Sequence, residues 1–364
     1  MSTIRHNWTK EEILDIYNKP LMELMYEAAT VHRLHHDPNT VQVSTLLSIK
    51  TGGCPEDCGY CPQAARYHTD IEGNDLMTVS HVKAQALRAK ASGSSRVCMG
   101  AAWRNVKDGP EFDQVLEMVR TINKLEMEVC CTLGMVTENQ AQRLAEAGLY
   151  AYNHNLDSSE EYYKEVISTR GYEDRLETID NVRKTNVTVC SGGIIGMGEK
   201  ESDRAGMLVA LSTLNPQPES VPINALVAVE GTPLENQKPV SIWDMIRMVA
   251  TTRIVMPEAQ VRLSAGRTEM SQEGQAMCFF SGANSIFAGD KLLTTPNPDV
   301  NEDMKLFDVL GLNPQKPFIK KMQPTSIEAK DSQFHALGEK PKWTRPDHKI
   351  ERNEEAKQKA KVLK

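Results

Sequence analysis

Three cysteines stand within eight residues of the stretch TGGCPEDCGYCPQAARY, which runs from Thr51 to Tyr67. Cys54, Cys58 and Cys61 are spaced C-x3-C-x2-C. Soft thiolate ligands select iron–sulfur clusters or zinc. Three thiolates from one short loop can hold three corners of a [4Fe–4S] cube and leave the fourth iron without a protein ligand. An open coordination position is what a catalytic metal site keeps. The alternative is a structural zinc site, which usually shows two C-x2-C pairs or Cys/His pairs. This loop offers no clear fourth ligand, though His68 follows seven residues after Cys61 and could serve. A third reading is that the cysteines are incidental small buried residues, but the spacing favours an iron–sulfur cluster over both alternatives.

A loop of this kind needs elements to hold it. Eight short β-rich runs recur along the chain: Val43–Ile49, Ser95–Gly100, Glu128–Gly134, Ala151–Asp157, Val187–Gly196, Val221–Val229, Val261–Gly266 and Asn284–Gly289. Helical patterns separate them. Ser80–Gly93 opens on a candidate Ser cap and stops at a glycine, and Thr137–Gly148 carries Gln140 three residues after its Thr. These are the start and stop signals of helices. Strand and helix alternating eight times predict a (β/α)8 TIM-type barrel. An open doubly wound sheet is the alternative, but no G-x-G-x-x-G fingerprint follows the first run.

Barrel enzymes carry their chemistry at the C-terminal ends of the strands. The three-cysteine loop follows the first run. Cys98 lies in the second, Cys130 and Cys131 in the third, Cys190 in the fifth, Asn224 in the sixth and Arg262 in the seventh, while Thr294 and Thr295 follow the eighth. In the fourth run, strand alternation puts Asn153, Asn155 and Asp157 on one face and His154 on the other. Such polar groups lining a barrel are costly unless a polar ligand meets them. If Cys98, Cys130 and Cys190 point inward their sulfurs converge, and Arg262 could join them. Taken singly, each is an ordinary small buried residue, Arg262 reads as a salt-bridge partner, and the Thr-Thr-Pro stretch reads as a turn. Only one of the adjacent Cys130 and Cys131 can face inward.

Composition sets the outer bounds. The chain has 364 residues, 40% of them hydrophobic, a net charge of −7 and a pI near 5.8. No global basic field argues for nucleic acid. No apolar run approaches the roughly 18 residues that a membrane span requires, and the N-terminus shows no leader. The expectation is a cytoplasmic protein whose eight cysteines serve as metal or catalytic ligands before disulfides. HRLHH, His32–His36, is expected on a solvated helical face. Residues 1–40 read as an N-terminal helical extension, 41–320 as the barrel and 321–364 as a tail. Between Glu339 and Lys364, 14 of 26 residues are charged, so that segment is expected to be solvated or disordered.

At the three-cysteine loop the sequence resembles the radical S-adenosylmethionine (SAM) superfamily, in which an aromatic residue precedes the last cysteine, as Tyr60 does here. In that superfamily the amine and carboxylate of SAM occupy the fourth iron. The stretches SRVCMGAAWR, YNHNLD, VCSGGIIGMGE, ESVPIN, VRLSAGR and GANSIFAGDKLLTTPNP tighten the likeness. From roughly Trp8 to Pro317 the chain is similar to the branch that inserts sulfur into dethiobiotin. The resemblance implies a [4Fe–4S] cluster on Cys54, Cys58 and Cys61, and a [2Fe–2S] cluster on Cys98, Cys130, Cys190 and Arg262. It implies SAM contacts at Tyr60, Asn155, Asp157, Arg175 and Ile194, the last within Gly192–Glu199. It further implies a dethiobiotin site at Asn153, Asn155, Asn224, Thr294 and Thr295. An electron donor such as flavodoxin and a homodimer are implied too. Cys131 would point into the wall, and Cys278 has no implied role.

Overall fold

The computed structural model describes residues 4–289 and 291–317. The charged tail therefore lies outside the described residues. Ten strands are arranged in chain order: β1 (Thr40–Lys50), β2 (Arg96–Ala101), β3 (Glu128–Thr132), β4 (Ala151–Asn153), β5 (Thr188–Cys190), β6 (Gly193–Ile195), β7 (Ser220–Ala225), β8 (Gln260–Leu263), β9 (Ser285–Ala288) and β10 (Asn313–Pro314). The helices are α1 (Lys10–Tyr17), α2 (Leu21–His35), α3 (Val79–Ala91), α4 (Pro110–Asn123), α5 (Glu138–Glu146), α6 (Glu160–Val166), α7 (Tyr172–Arg183), α8 (Glu201–Ser212), α9 (Ile242–Val255), α10 (Gln272–Phe280) and α11 (Val300–Leu310). None of the described helices is long and apolar enough to cross a membrane.

All strand pairs are parallel, and β9 pairs back onto β1 through Gln42↔Ser285 to Thr45↔Ala288. The sheet thus closes into an eight-staved α/β barrel, as the alternating pattern predicts, with β5 and β6 sharing one stave. Short β10 adds to the outside of β1. Closure leaves no unpaired barrel edge. Two hydrophobic layers result. A large one lies between sheet and helices and includes Val43, Val97, Val129, Tyr152, Val221 and Val261. A small one lies inside the barrel and includes Cys98, Cys130, Cys190 and Phe287.

Three expectations change. The fifth run is predicted continuous but breaks after Cys190. Pro222 of the facing strand has no N–H to donate to a ladder at that level. Its carbonyl also comes so close that a Cβ on Gly192 would sit 2.0 Å from it. The helix expected to start at Ser80 instead begins after Thr78, whose hydroxyl accepts from the His81 N–H. By contrast, α5 has the predicted capping box of Thr137 with Gln140.

The third change concerns His32–His36. His32 and His36 are not solvated: their rings stack at 5.3 Å and both are buried. His36 Nε2 lies 2.7 Å from Nη1 of Arg253, a fully buried arginine of α9. That guanidinium also donates to the carbonyls of Pro257, Ala259 and Gly282 and to Asn284 Oδ1. Asn284 Oδ1 in turn accepts from the N–H of Val261, next to Arg262. Helix α9 is thereby tied to the strands that carry part of the site. Arg253→Met leaves several buried acceptors without a donor, each worth about 1–3 kcal/mol. The variant is expected to lose at least ~3 kcal/mol of stability, read as a lowered denaturation midpoint in urea; an unchanged midpoint would contradict this account.

Candidate functional site

The loop after β1 turns back on itself through short hydrogen bonds. Cys54 N–H donates to Gln63 O at 3.0 Å, Ala65 N–H to Cys54 O at 2.7 Å, and Cys61 N–H to Cys58 O at 2.9 Å. The three cysteines face one cavity of about 330 Å3. Burial raises all three thiols above their ordinary range, Cys61 to about 12. Backbone N–H groups of Glu56 and Gln63 work in the opposite direction on Cys54 and Cys61. Buried thiolates oriented toward backbone donors need positive charge to be stable, and iron supplies it. The loop therefore fits an iron–sulfur cube. Among the described residues, no three His, Cys, Asp or Glu side chains are gathered around a single point.

Asp157 stands across from the loop in a left-handed backbone conformation, φ 68°. Strand β4 ends at Asn153, so the alternation predicted through Asp157 does not continue. His154 also lines the cavity, beside Asn153, Asn155 and Asp157, instead of taking an opposite face. The Asp157 carboxylate is held by Arg175 of α7 in a close ion pair and accepts from the Tyr60 hydroxyl at 2.8 Å. Arg175 also donates to Asn155 O at 2.8 Å and to the Tyr163 hydroxyl at 3.0 Å. The resemblance implies a direct ligand contact for Arg175; in the fold its guanidinium fixes Asp157. Gly193 lets the chain pass here, since a Cβ on it would lie 2.5 Å from Asp157 O. Ile194 reaches the same cavity from β6. Glu199 closes the turn by accepting from the N–H groups of Gly196 and Met197 at 2.8–3.0 Å.

Deeper in, strand register builds the rest. Cys98 pairs with Cys130, Asn153 with Cys190, and Arg262 with both Pro222 and Ser285. Cys130 joins the interior cluster, whereas Cys131 packs in the outer layer. The Cys130 thiol is within hydrogen-bonding reach of both Cys98 and Cys190. Those contacts, together with the nearby Arg262 guanidinium, outweigh burial and lower Cys98, and bring Cys190 down to about 6. Arg262 Nη1 lies 3.8 Å from Cys190 Sγ. Its other contacts are neutral: Ser285 Oγ at 2.9 Å, Gln42 Oε1 at 2.9 Å and Ser44 Oγ at 3.4 Å. The salt bridge that Arg262 suggests in isolation does not form among the described residues. Asn153 Nδ2 bridges upward to Asn155 Oδ1 at 3.1 Å and inward to Cys190 Sγ at 3.3 Å. Asn224, Thr294 and Thr295 complete the cavity wall.

Every residue singled out from the sequence as a candidate contact except Cys190 and His68 lines this cavity, and Cys190 accepts from Asn153 Nδ2. Sequence reasoning missed Arg170, Glu56 and Gln63, which also line it. Glu56 and Gln63 were legible as neighbours of the motif cysteines. Arg170 had no such signal, because its partner Cys58 lies 112 residues away.

Comparison with known proteins agrees with this geometry. The radical SAM superfamily model matches residues 48–210, and the Biotin and Thiamin Synthesis associated domain matches residues 222–313. Among solved structures, methylornithine synthase superposes with TM-score 0.70 at 17% identity, covering 85% of this chain and 94% of that one. A maturase of the [FeFe]-hydrogenase from Carboxydothermus hydrogenoformans gives TM-score 0.70 at 16% identity, covering 85% and 76%. At those identities they show the fold alone. Barrel and cysteine loop together define a radical SAM enzyme, a class that works with SAM and a [4Fe–4S] cluster. Biotin synthase of Flavobacterium psychrophilum is 83% identical over 361 residues, 99% of this chain and 100% of the relative. That of Christiangramia forsetii is 84% identical over 359 residues, 99% of each chain, and that of Cytophaga hutchinsonii 65% over 318, or 87% and 94%. The chain belongs to the biotin synthase family.

Asp157→Asn removes the charge that Arg175 and Tyr60 converge on, while keeping the side chain's size. SAM affinity, read by equilibrium dialysis, is expected to fall at least ~10-fold, since a charge-assisted bond is worth about 1.5–3 kcal/mol. Unchanged affinity would leave Asp157 with a purely architectural part.

Proposed function

We propose that this chain inserts sulfur between two unactivated carbons of dethiobiotin to make biotin. The observation that carries the reading is that two separate thiol sets share one barrel, with Asn153, Asn155 and Asn224 lining the same cavity. The interior set of Cys98, Cys130 and Cys190 with Arg262 would hold a [2Fe–2S] cluster: contact with the Cys130 thiol lowers Cys98 and brings Cys190 down to about 6 while Cys130 itself is pushed up, and Arg262, which directs an N–H at the Cys190 sulfur, would have to give up a proton to ligate iron. When bound, the [4Fe–4S] cluster supplies the electron that cleaves SAM into methionine and a 5′-deoxyadenosyl radical, and the [2Fe–2S] cluster supplies the sulfide.

The chain's own residues bind, aim and seal. Dethiobiotin has a cyclic urea at one end and a carboxylate at the other. A urea needs both donors and acceptors, and the amides of Asn153, Asn155 and Asn224 offer both. Thr294 and Thr295 lie in the cavity wall and provide hydroxyl donors for the carboxylate. Asn155 and Asp157 suit the ribose diol of SAM, Arg175 the charge of its methionyl end, and Ile194 the adenine face. In the proposed reaction the bound molecules and the barrel wall together would exclude water. Two C–H bonds must break, so two SAM are consumed per biotin. An electron donor such as flavodoxin, a homodimer and a cytoplasmic setting belong to the same reading. So does a division into a helical extension (1–40), a barrel (41–320) and a tail (321–364).

Cys190→Ala tests the division of labour. The three-cysteine loop shares no ligand with β5, so 5′-deoxyadenosine should still form with dethiobiotin and reductant, while biotin should not. The ratio of biotin to 5′-deoxyadenosine in one reaction decides: a wild-type ratio would exclude the interior cysteines as the sulfur source. A second contrast tests strand register. Cys130→Ala is expected to abolish the [2Fe–2S] absorption after anaerobic reconstitution, whereas Cys131→Ala should retain it. The opposite outcome would place the ladder one residue out of register.

A further inference from the structure

The three-cysteine loop carries a carboxylate, Asp57, that reaches across to the segment after α6. It accepts from the N–H groups of Ser168 at 2.9 Å and Thr169 at 3.1 Å, from the Thr169 hydroxyl at 2.9 Å, and closely from the Ser168 hydroxyl. In return the Asp57 N–H donates to Thr169 Oγ1 at 3.2 Å, and the Gly59 N–H donates to Val166 O at 2.9 Å. Burial would raise the Asp57 carboxyl, but these donors prevail and hold it well below the usual range. Loop and segment are thus clamped to each other.

The residue after this clamp is Arg170. Its Nη2 lies 4.0 Å from Cys58 Sγ, and its Nε is buried without a hydrogen-bond partner. The other charges around Cys58 are already matched. Arg175 is paired with Asp157, and Glu56 with Arg104 at 3.3 Å. Among the described residues no carboxylate is paired with Arg170. It is the uncompensated cation beside the buried Cys58 sulfur.

We propose that Arg170, positioned by the Asp57 clamp, raises the reduction potential of the cluster bound through Cys58. Reduction adds one negative charge to an anionic group in a poorly solvated pocket. A fixed cation at that distance stabilises the reduced form more than the oxidised one. Net charge and hydrogen bonds to the sulfurs are the protein's means of setting such potentials. The proposal rests on the reading of Cys54, Cys58 and Cys61 as cluster ligands.

The experiment is an EPR-monitored redox titration of the [4Fe–4S] couple in anaerobically reconstituted full-length protein, without SAM or dethiobiotin. Iron and sulfide content are measured alongside. Arg170→Gln is expected to hold a full cluster at a more negative midpoint potential, with Arg170→Lys closer to wild type. Thr169→Val, which removes a clamp hydroxyl without changing charge, should shift the potential in the same direction as Arg170→Gln. A fully loaded Arg170→Gln protein with the wild-type potential would overturn the proposal, and an unshifted Thr169→Val protein would overturn the clamp's part in it. If Arg170→Gln fails to assemble the cluster, the Lys variant decides: assembly near the wild-type potential supports a requirement for charge, whereas failure of both assigns Arg170 a structural part instead. Cys58→Ala is the control on the underlying reading. Retention of the complete [4Fe–4S] signal in that variant would overturn the ligand assignment itself, independently of Arg170.

Discussion

The in-register pairing of β2 with β3 is the constraint on which the deep site depends. It sets Cys98 directly beside Cys130, and the twofold alternation of a strand then leaves Cys131 no place but the outer layer. The same ladder carries on through Cys130↔Ala151 and Asn153↔Cys190, then Arg262↔Ser285 and Gln42↔Ser285. Cys98, Cys130, Asn153, Cys190 and Arg262 each have their height in the barrel fixed by a backbone pair. Closure through β9 and β1 removes the freedom to slip, since a slip at one stave would have to be matched at all the others.

Charges are sorted within this frame. Beneath the interior thiols, Glu128 accepts from Arg96 at 2.7 Å, and Glu219 lies against the same guanidinium. Gln42 stands between that group and Arg262: its amide donates toward Glu128 at 3.4 Å, and its carbonyl accepts from Arg262 at 2.9 Å. A neutral amide thus separates the carboxylates from Arg262 and leaves that cation facing Cys190. In water such an arrangement would matter little. In a buried site, where charge interactions are weakly screened, it adds to the Cys130 contact that is the main cause of the lowered Cys190 thiol.

Much of this was legible in the sequence, for identifiable reasons. The spacing of Cys54, Cys58 and Cys61 is local, and a local pattern survives folding unchanged. The eight runs were visible because buried parallel strands are short and rich in apolar residues. The capping box at Thr137 was legible for the same local reason. What escaped depends on distant partners. The break between β5 and β6 follows from Pro222, about thirty residues further on. His32 and His36 look like a solvated helical face until Arg253 is packed against them. Alternation failed beyond Asn153 because Asp157 turns into the left-handed region to meet Arg175. Arg170 carries no motif, and only the fold brings it to Cys58.

The break between β5 and β6 has one more consequence. The Gly192 carbonyl there accepts from two N–H groups at once, Leu156 at 3.0 Å and Asp157 at 3.2 Å, while the Gly192 N–H donates to Asn155 Oδ1 at 3.2 Å. One residue therefore anchors the turn bearing Asp157 through both of its flanking peptides, and it sits two residues beyond Cys190. The Asp157 turn and the interior sulfur of Cys190 are consequently spaced by a short stretch of backbone whose hydrogen bonds fix both sides of Gly192. If molecules bind at both ends as proposed, the spacing acts as a ruler, and a molecule too short to bridge it would go unreacted.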